Sequence, residues 1–377
     1  MVKKILIISA AFLGAVIIGY LVWANSGRNV VTTTSEAFIT DTVECGTKSE
    51  LGNLLAIQPQ MVTLDYANQA SFQRKLNLYL SDAKAKGWLS QKTIVVFPEY
   101  LGSWLVIANE KQAVYQAKTM KDAMKTLILS NLFGFIKEMV STKAKDKVKH
   151  SLFKMKGAQM AEIYQQTFSQ LSKQYQVTIV AGSILLPNPE LVRGKLMMRE
   201  GSLYNISLVY RPDGTPYEEM VKKVYPTEDE QEFVAKAKVE ELPVFETPLG
   251  KLGVLICADA WYPAPYEALA KKNTELIAVV SFGSDYQEKW QGYSGYPAPA
   301  DVNLSDIGKI TKREAWLKYT LPGRIKQTKA KYGVNSFLHL ELWDMKPNNG
   351  YSFTVENGVL HEAKPNFQAT MMSQWLN

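Results

Sequence analysis

Three short stretches of this sequence end strand-like runs in residues that can do chemistry. In VVFPEY, Glu99 follows a run of apolar residues. In VKKVYPTEDE, Lys222, Lys223 and Glu230 stand close together, and in LICADAWYP Cys257 closes the run with Asp259 two residues on. Side chains at the carboxyl ends of strands can point into a cleft shaped by the loops there. A carboxylate, an ammonium and a thiol suffice for nucleophilic catalysis without histidine. The carboxylate takes the thiol proton, the thiolate attacks an electrophilic carbon, and the ammonium holds the oxyanion that forms. A cation beside a cysteine also favours its thiolate. Singly, each motif is weak, because a strand-end cysteine is usually a small buried apolar residue and a Lys-Lys pair usually a solvated edge. Adjacent side chains on a strand face opposite sides, so only one of Lys222 and Lys223 can share a site with Glu99 and Cys257.

The elements that must position these residues alternate between two periods. NLLAIQP (53–59), TIVVFP (93–98), VTIVAGSILL (177–186), LGVLIC (252–257) and ELIAVVSF (275–282) read as buried strands. Residues 68–86 carry apolar side chains at Phe72, Leu76, Leu80 and Ala83, a helical spacing that Gly87 ends. Pro212-Asp213-Gly214 joins two strand patterns, and Asn357-Gly358 marks a hairpin. Strands alternating with helices, plus hairpins, predict an α/β sheet domain that is not purely parallel. No internal repeat interrupts it.

The amino terminus reads differently. Residues 5–24 form a run of 20 without a charge, long enough to cross a bilayer core of about 30 Å. Lys3 and Lys4 precede the run and only Arg28 follows closely, which predicts a cytosolic amino terminus with the rest of the chain outside. This makes 1–27 a membrane anchor (transmembrane 5–24), 28–52 a polar tether and 53–377 the folded domain. The protein is then single-pass in the cell membrane with its domain extracytoplasmic, periplasmic if the cell is Gram-negative. The rival reading is a cleaved signal peptide, whose apolar region is normally shorter and whose cleavage site would have to be Ala24-Asn25-Ser26.

Composition bounds the rest. With 377 residues, 46% hydrophobic and 21% charged, the chain has ample material for a core. Two cysteines exclude a disulfide framework, and His150, His339 and His361 lie in no metal-binding spacing, so no metal is expected. The net charge of +7 equals the excess of ten lysines over three acids between Lys118 and Lys156, so nucleic acid is not the expected partner. That charge lies in a lysine-rich helical excursion, 105–160. Its apolar face either packs on the domain or, over 126–156, lies on the membrane surface near the anchor.

Taken in order, the Glu, Lys and Cys motifs resemble those of the nitrilase superfamily of carbon–nitrogen hydrolases, over most of the chain from about 53 to about 363. VFPE resembles the first signature and implies that Glu99 is the general base. KVYPTEDE resembles the second, which selects Lys223 over Lys222 and adds Glu230 as a supporting glutamate. CADAWYP resembles the third and implies Cys257 as nucleophile, with the Ala258 backbone N–H as an oxyanion donor. The resemblance implies an α-β-β-α sandwich, a small amide as substrate, a Cys thioester intermediate and no cofactor. Nitrile hydrolysis and acyl transfer to an amine stay open, as does a non-catalytic, membrane-tethered binding module. Two departures bear on this. Ala258-Asp259 is closer to the amidase branches than to true nitrilases, and the stretch after Arg324 lacks a Glu-Asn pair common in the family, which touches the usual homodimer contacts. A free nucleophile also implies that Cys45 and Cys257 are not bonded to each other.

Overall fold

The structure, a computed structural model, describes all residues except 1, 29, 31–35, 284–285, 346–349 and 365–367. Its helices are α1 (Val2–Asn25), α2 (Gln69–Ala85), α3 (Gln112–Tyr115), α4 (Met120–Ser130) and α5 (Leu132–Ser141). They continue with α6 (Lys147–Tyr175), α7 (Pro263–Lys271), α8 (Lys312–Tyr319) and α9 (Leu321–Arg324). The strands begin with β1 (Ile39–Cys45), β2 (Asn53–Gln58), β3 (Gln60–Val62), β4 (Thr93–Phe97), β5 (Thr178–Ala181) and β6 (Ile184–Val192). Next come β7 (Lys195–Ser207), β8 (Val209–Tyr210), β9 (Val221–Lys222), β10 (Val244–Thr247), β11 (Gly250–Ile256) and β12 (Leu276–Ser281). The rest are β13 (Tyr332–Phe337), β14 (His339–Glu341), β15 (Phe353–Glu356), β16 (Val359–Glu362) and β17 (Ala369–Trp375).

Two six-stranded sheets carry the fold, in the orders β1-β17-β2-β4-β5-β8 and β10-β11-β12-β13-β15-β16. Both mix parallel and antiparallel pairs. Successive residues of a strand face opposite sides. On β2 and β4, Leu55, Ile57, Val95 and Phe97 therefore pack under helices α2 and α6, with Phe72, Leu76, Tyr164 and Phe168. Leu54, Ala56, Ile94 and Val96 face the other way and meet Val254 and Ala278 of the second sheet. Beyond that sheet lie α7 and α8. Position 253 is glycine, and a side chain there would run into Leu269 of α7. The layers are thus α-β-β-α, the predicted sandwich.

Local chemistry explains several boundaries. The Asn68 side chain caps α2 by accepting the Ser71 N–H at 2.9 Å, and Asp146 caps α6 through Lys149 N at 2.9 Å. Asn357 (φ +50°) and Gly358 (φ +84°) turn the β15–β16 hairpin with both central residues at positive φ.

Three expectations need correction. VTIVAGSILL is not one strand, because it breaks at Gly182 (φ +67°) into β5 of the first sheet and β6 of a separate ribbon with β7 and β9. The expected tether, 28–52, contains β1, an edge strand paired parallel with β17 from Ile39↔Ala369 to Cys45↔Gln374. Its inward face, Ile39, Asp41, Val43 and Cys45, is broken by one acid, and its outward face is the polar set Thr40, Thr42 and Glu44. Residues 29 and 31–35 of that stretch lie outside the described residues. The excursion does not end at 160 either, since α6 runs on to Tyr175 as part of the helix layer. The segment before it, with α3, α4 and α5, packs on the domain through Val114, Tyr115, Ala123, Leu127 and Phe135.

Candidate active site

Two of the three chemical motifs, those of Glu99 and Cys257, end in a turn with a residue at positive φ. After β4, Tyr100 takes φ +61°. The turn is held by Ser183, whose Oγ accepts the Tyr100 N–H at 2.9 Å and whose N–H donates to Pro98 O at 3.3 Å. A Cβ at Gly182 would lie 2.2 Å from Pro98 O, so only glycine lets the two turns approach. After β11, Cys257 sits at φ +47°, a conformation that costs a non-glycine residue energy and lifts the side chain off the strand end. Asp259 holds this turn to its neighbour. Its buried carboxylate accepts the N–H groups of Val224 (3.0 Å), Tyr225 (2.7 Å) and Ile256 (3.3 Å). The cysteine turn and the segment that follows Lys223 are thereby tied together.

These turns bring Glu99, Lys223, Glu230 and Cys257 into one buried cluster. Lys223 Nζ donates to Glu99 Oε1 at 2.8 Å and to Glu230 Oε2 at 2.6 Å, with about 1% of the lysine exposed. Lys222 points elsewhere, its Nζ lying 4.7 Å from the centre of the Tyr204 ring. Glu230 also accepts the Thr227 N–H at 2.7 Å and the Tyr100 hydroxyl. Asn205 of β7 donates to both carboxylates, at 3.0 Å to Glu99 and 3.1 Å to Glu230. The Cys257 thiol reaches Phe282 O at 3.6 Å. Ala258 follows at the start of a short 3₁₀ turn (Cys257–Trp261), where the first N–H groups of such a turn lack partners within it. Tyr100 stands in the quoted VVFPEY stretch with nothing to mark its role, and Asn205 lies in no motif. Asn205 stands in a strand with ordinary alternation, and only the fold brings it between the two glutamates.

The environment separates the two carboxylates. Burial pushes Glu99 up, and the Lys223 charge does not fully offset it. Burial acts on Glu230 as well, but the Lys223 charge and three hydrogen bonds pull it below the usual carboxylate range. Burial would lower Lys223, yet the two glutamates hold its ammonium well above the ordinary lysine value. Burial and then the Glu99 charge push the Cys257 thiol up, so the resting sulfur keeps its proton. Asp259 is pushed up to about 7 by burial, against its backbone donors. Two carboxylates around one ammonium leave room for one more proton, and Glu99 is the carboxylate that takes it.

Beside the thiol lies a cavity of about 440 Å³ lined by Cys257, Trp261, Tyr262, Phe282, Trp290 and Tyr293. Tyr262 stacks on Tyr225 with ring centres 3.9 Å apart. Among the described residues no group of His, Cys, Asp and Glu is arranged to hold a metal ion, and both cysteines are free thiols.

Residues 56–298 match the family described as carbon-nitrogen hydrolase. A protein described as probable hydrolase YhcX from Bacillus subtilis (strain 168) is 30% identical over 132 residues, 35% of this chain and 22% of that one. Nitrilase 3 of Arabidopsis thaliana is 31% identical over 104 residues, 28% of this chain and 29% of its own length. The chain thus spans under a third of either relative. A crystal structure of a carbon-nitrogen hydrolase from Helicobacter pylori G27 has the same fold at 16% identity and a TM-score of 0.51, covering 85% of this chain and 88% of that one.

Proposed function

As the chain belongs to the carbon–nitrogen hydrolase family, we propose that it is a thiol hydrolase that cleaves the C–N bond of a small amide through a Cys257 thioester. The observation that carries this reading is Lys223, buried between Glu99 and Glu230 beside a protonated thiol. Glu99, the carboxylate with the higher proton affinity, takes the thiol proton as sulfur bonds to the carbonyl carbon. An ammonium has three N–H groups, and two of those on Lys223 are spent on the glutamates. The third and the Ala258 N–H hold the oxyanion. Glu99 returns the proton to the leaving nitrogen, and ammonia or an amine departs. Glu99 then deprotonates water, which attacks the thioester and releases the acid and the thiol. Glu230 keeps Lys223 charged and aimed, and the aromatic cavity receives the acyl portion.

The test is a screen for ammonia release over paired amides and nitriles, run with the parent chain and with Cys257→Ala. Release from amides that the variant lacks supports the reading. Equal release by both proteins, or none by either, favours a binding module. Release from nitriles alone assigns nitrilase chemistry, a reading that the resemblance to Nitrilase 3 favours. Product that forms only with an amine acceptor assigns acyl transfer.

The same proposal includes location. α1 is the one helix among the described residues long and apolar enough to cross a membrane, and its most apolar stretch of 18 residues has none buried in the fold. With lysines only before it, we read it as an anchor (5–24) holding an extracytoplasmic hydrolase domain that starts at β1 rather than at residue 53. Protease added to intact spheroplasts should cut the domain, and protection until the membrane is opened overturns that orientation. Light scattering of the solubilised protein tests the homodimer, which the mass of a single chain would exclude.

A further inference from the structure

We propose that helices α4 and α5 form a second membrane contact, a lipid-facing platform locked to the point where α1 leaves the bilayer and fitted to an anionic leaflet. This inference rests on reading α1 as a span, not on the chemistry of the site.

The lock is polar and specific. Tyr20 of α1 accepts the Leu132 N–H at 3.0 Å and donates to Leu129 O at 3.1 Å, so it caps the junction of α4 and α5. Its ring meets Phe133 edge-on at 5.2 Å. Lys111 Nζ donates to the Trp23 carbonyl and to Ser26 O at 2.5 Å. Arg28 reaches Glu110 at 3.0 Å and Ser130 O at 3.1 Å. Tyr20 is four residues short of the end of the apolar run, about 6 Å of helix rise. If residues 5–24 cross the apolar core, the α4–α5 junction bonded to Tyr20 must lie at that depth, where interfacial helices sit.

The surface there suits lipid. On α5, Phe133 is 59% exposed, Ile136 48% and Val140 83%, at a spacing that puts all three on one face. Leu129 continues the row at 41% exposure. The opposite face buries Phe135 in the domain. Lys137 stands in the apolar row with its side chain 81% exposed, and Lys121 and Lys125 of α4 and Lys143, Lys145 and Lys147 just after α5 are exposed on the same segment of chain. An apolar stripe edged by lysines and continuous with a span matches a bilayer rich in anionic headgroups. A second copy of this chain would bring like-charged lysines face to face.

The test uses the full chain in nanodiscs of phosphatidylcholine and phosphatidylglycerol that contain a phospholipid with a photoreactive diazirine near its headgroup. Adducts are mapped by peptide mass spectrometry after irradiation. Expected are adducts on α1 and on the Leu129–Val140 peptide, and none around Leu304 or Val359, which are equally exposed apolar residues elsewhere. Loss of the Leu129–Val140 adducts in discs of phosphatidylcholine alone supports the role of the lysines. Adducts on α1 alone overturn the platform and leave the span. Absence from both overturns the span reading with it. Crosslinks joining the α5 peptides of two chains overturn the lipid assignment in favour of a second copy. A Phe133→Ser/Ile136→Ser/Val140→Ser chain should lose the α5 adducts and keep those on α1. Retention of its α5 adducts overturns the proposal.

Discussion

Two buried charge clusters in this molecule have opposite polarity. At the candidate site one ammonium, Lys223, lies between two carboxylates. At the seam between α1 and the domain one carboxylate, Glu110, lies between two cations, Arg28 at 3.0 Å and Lys156 at 2.7 Å. Glu110 is fully buried and also accepts two bonds from the Asn131 amide, at 3.0 and 3.1 Å. The second cluster has a carboxylate saturated with donors and no reactive group beside it, so it can only hold elements together. The first has an excess carboxylate, a thiol and a cavity. Its surplus negative charge is what gives a proton somewhere to go. The same residue types thus serve docking or chemistry according to which charge is in the minority.

The largest effect should separate the two clusters by activity. Glu99→Gln removes the proposed general base and should lower turnover by roughly 10²- to 10⁴-fold, while Glu110→Ala leaves the turnover of folded protein near that of the parent. Comparable losses in both would dissolve the distinction. Next, Lys223→Met should cost about 100- to 1,000-fold in turnover, as loss of an oxyanion donor does, with Lys222→Met close to the parent in the same kinetic assay. A reversed result would mean that Lys222 is the functional lysine. In stability the order inverts. Glu110→Ala strands the buried Lys156 and the half-buried Arg28 and should cost on the order of 3 kcal/mol, read from the urea midpoint of the solubilised protein. A smaller step is Tyr100→Phe, which removes one donor from Glu230 and should reduce turnover about tenfold.

The pH profile sharpens the contrast without a mutation. Glu99 works as a base only when ionised, and its proton affinity is raised. Activity should therefore fall as pH drops through that raised value, on an acidic limb above the ordinary glutamate range near about 4.3. A limb at or below that range would show that Glu99 is not the group titrating.

How much of this was legible beforehand depended on whether the signal was local. Strand ends with Glu99 and Cys257, the α2 spacing and the Asn357-Gly358 turn are all written in contiguous residues. Asn205, Tyr100 and the Ser183 clamp are not, because their roles come from elements distant in sequence. Gly182 was visible as a glycine, but its meaning is the approach of Pro98 O, which no single run of residues contains. β1 is hard to read because Asp41 interrupts the inward apolar positions Ile39, Val43 and Cys45, in a stretch otherwise rich in Thr and Ser.

The pairing of that strand sets an order of events in time. β17 lies between β1 and β2, pairing Asn53 with Trp375 and Cys45 with Gln374. β2 can pair early with β4 on its other side, but β1 has no neighbour at all until residues more than three hundred positions later have been made. During synthesis both edges stand open, and contacts so distant in sequence form slowly. The strand that follows α1 is therefore the last part of its sheet to be completed. An open strand edge is also a template for pairing with other chains, so a chain cut short before Ala369 should aggregate rather than persist as an inactive monomer.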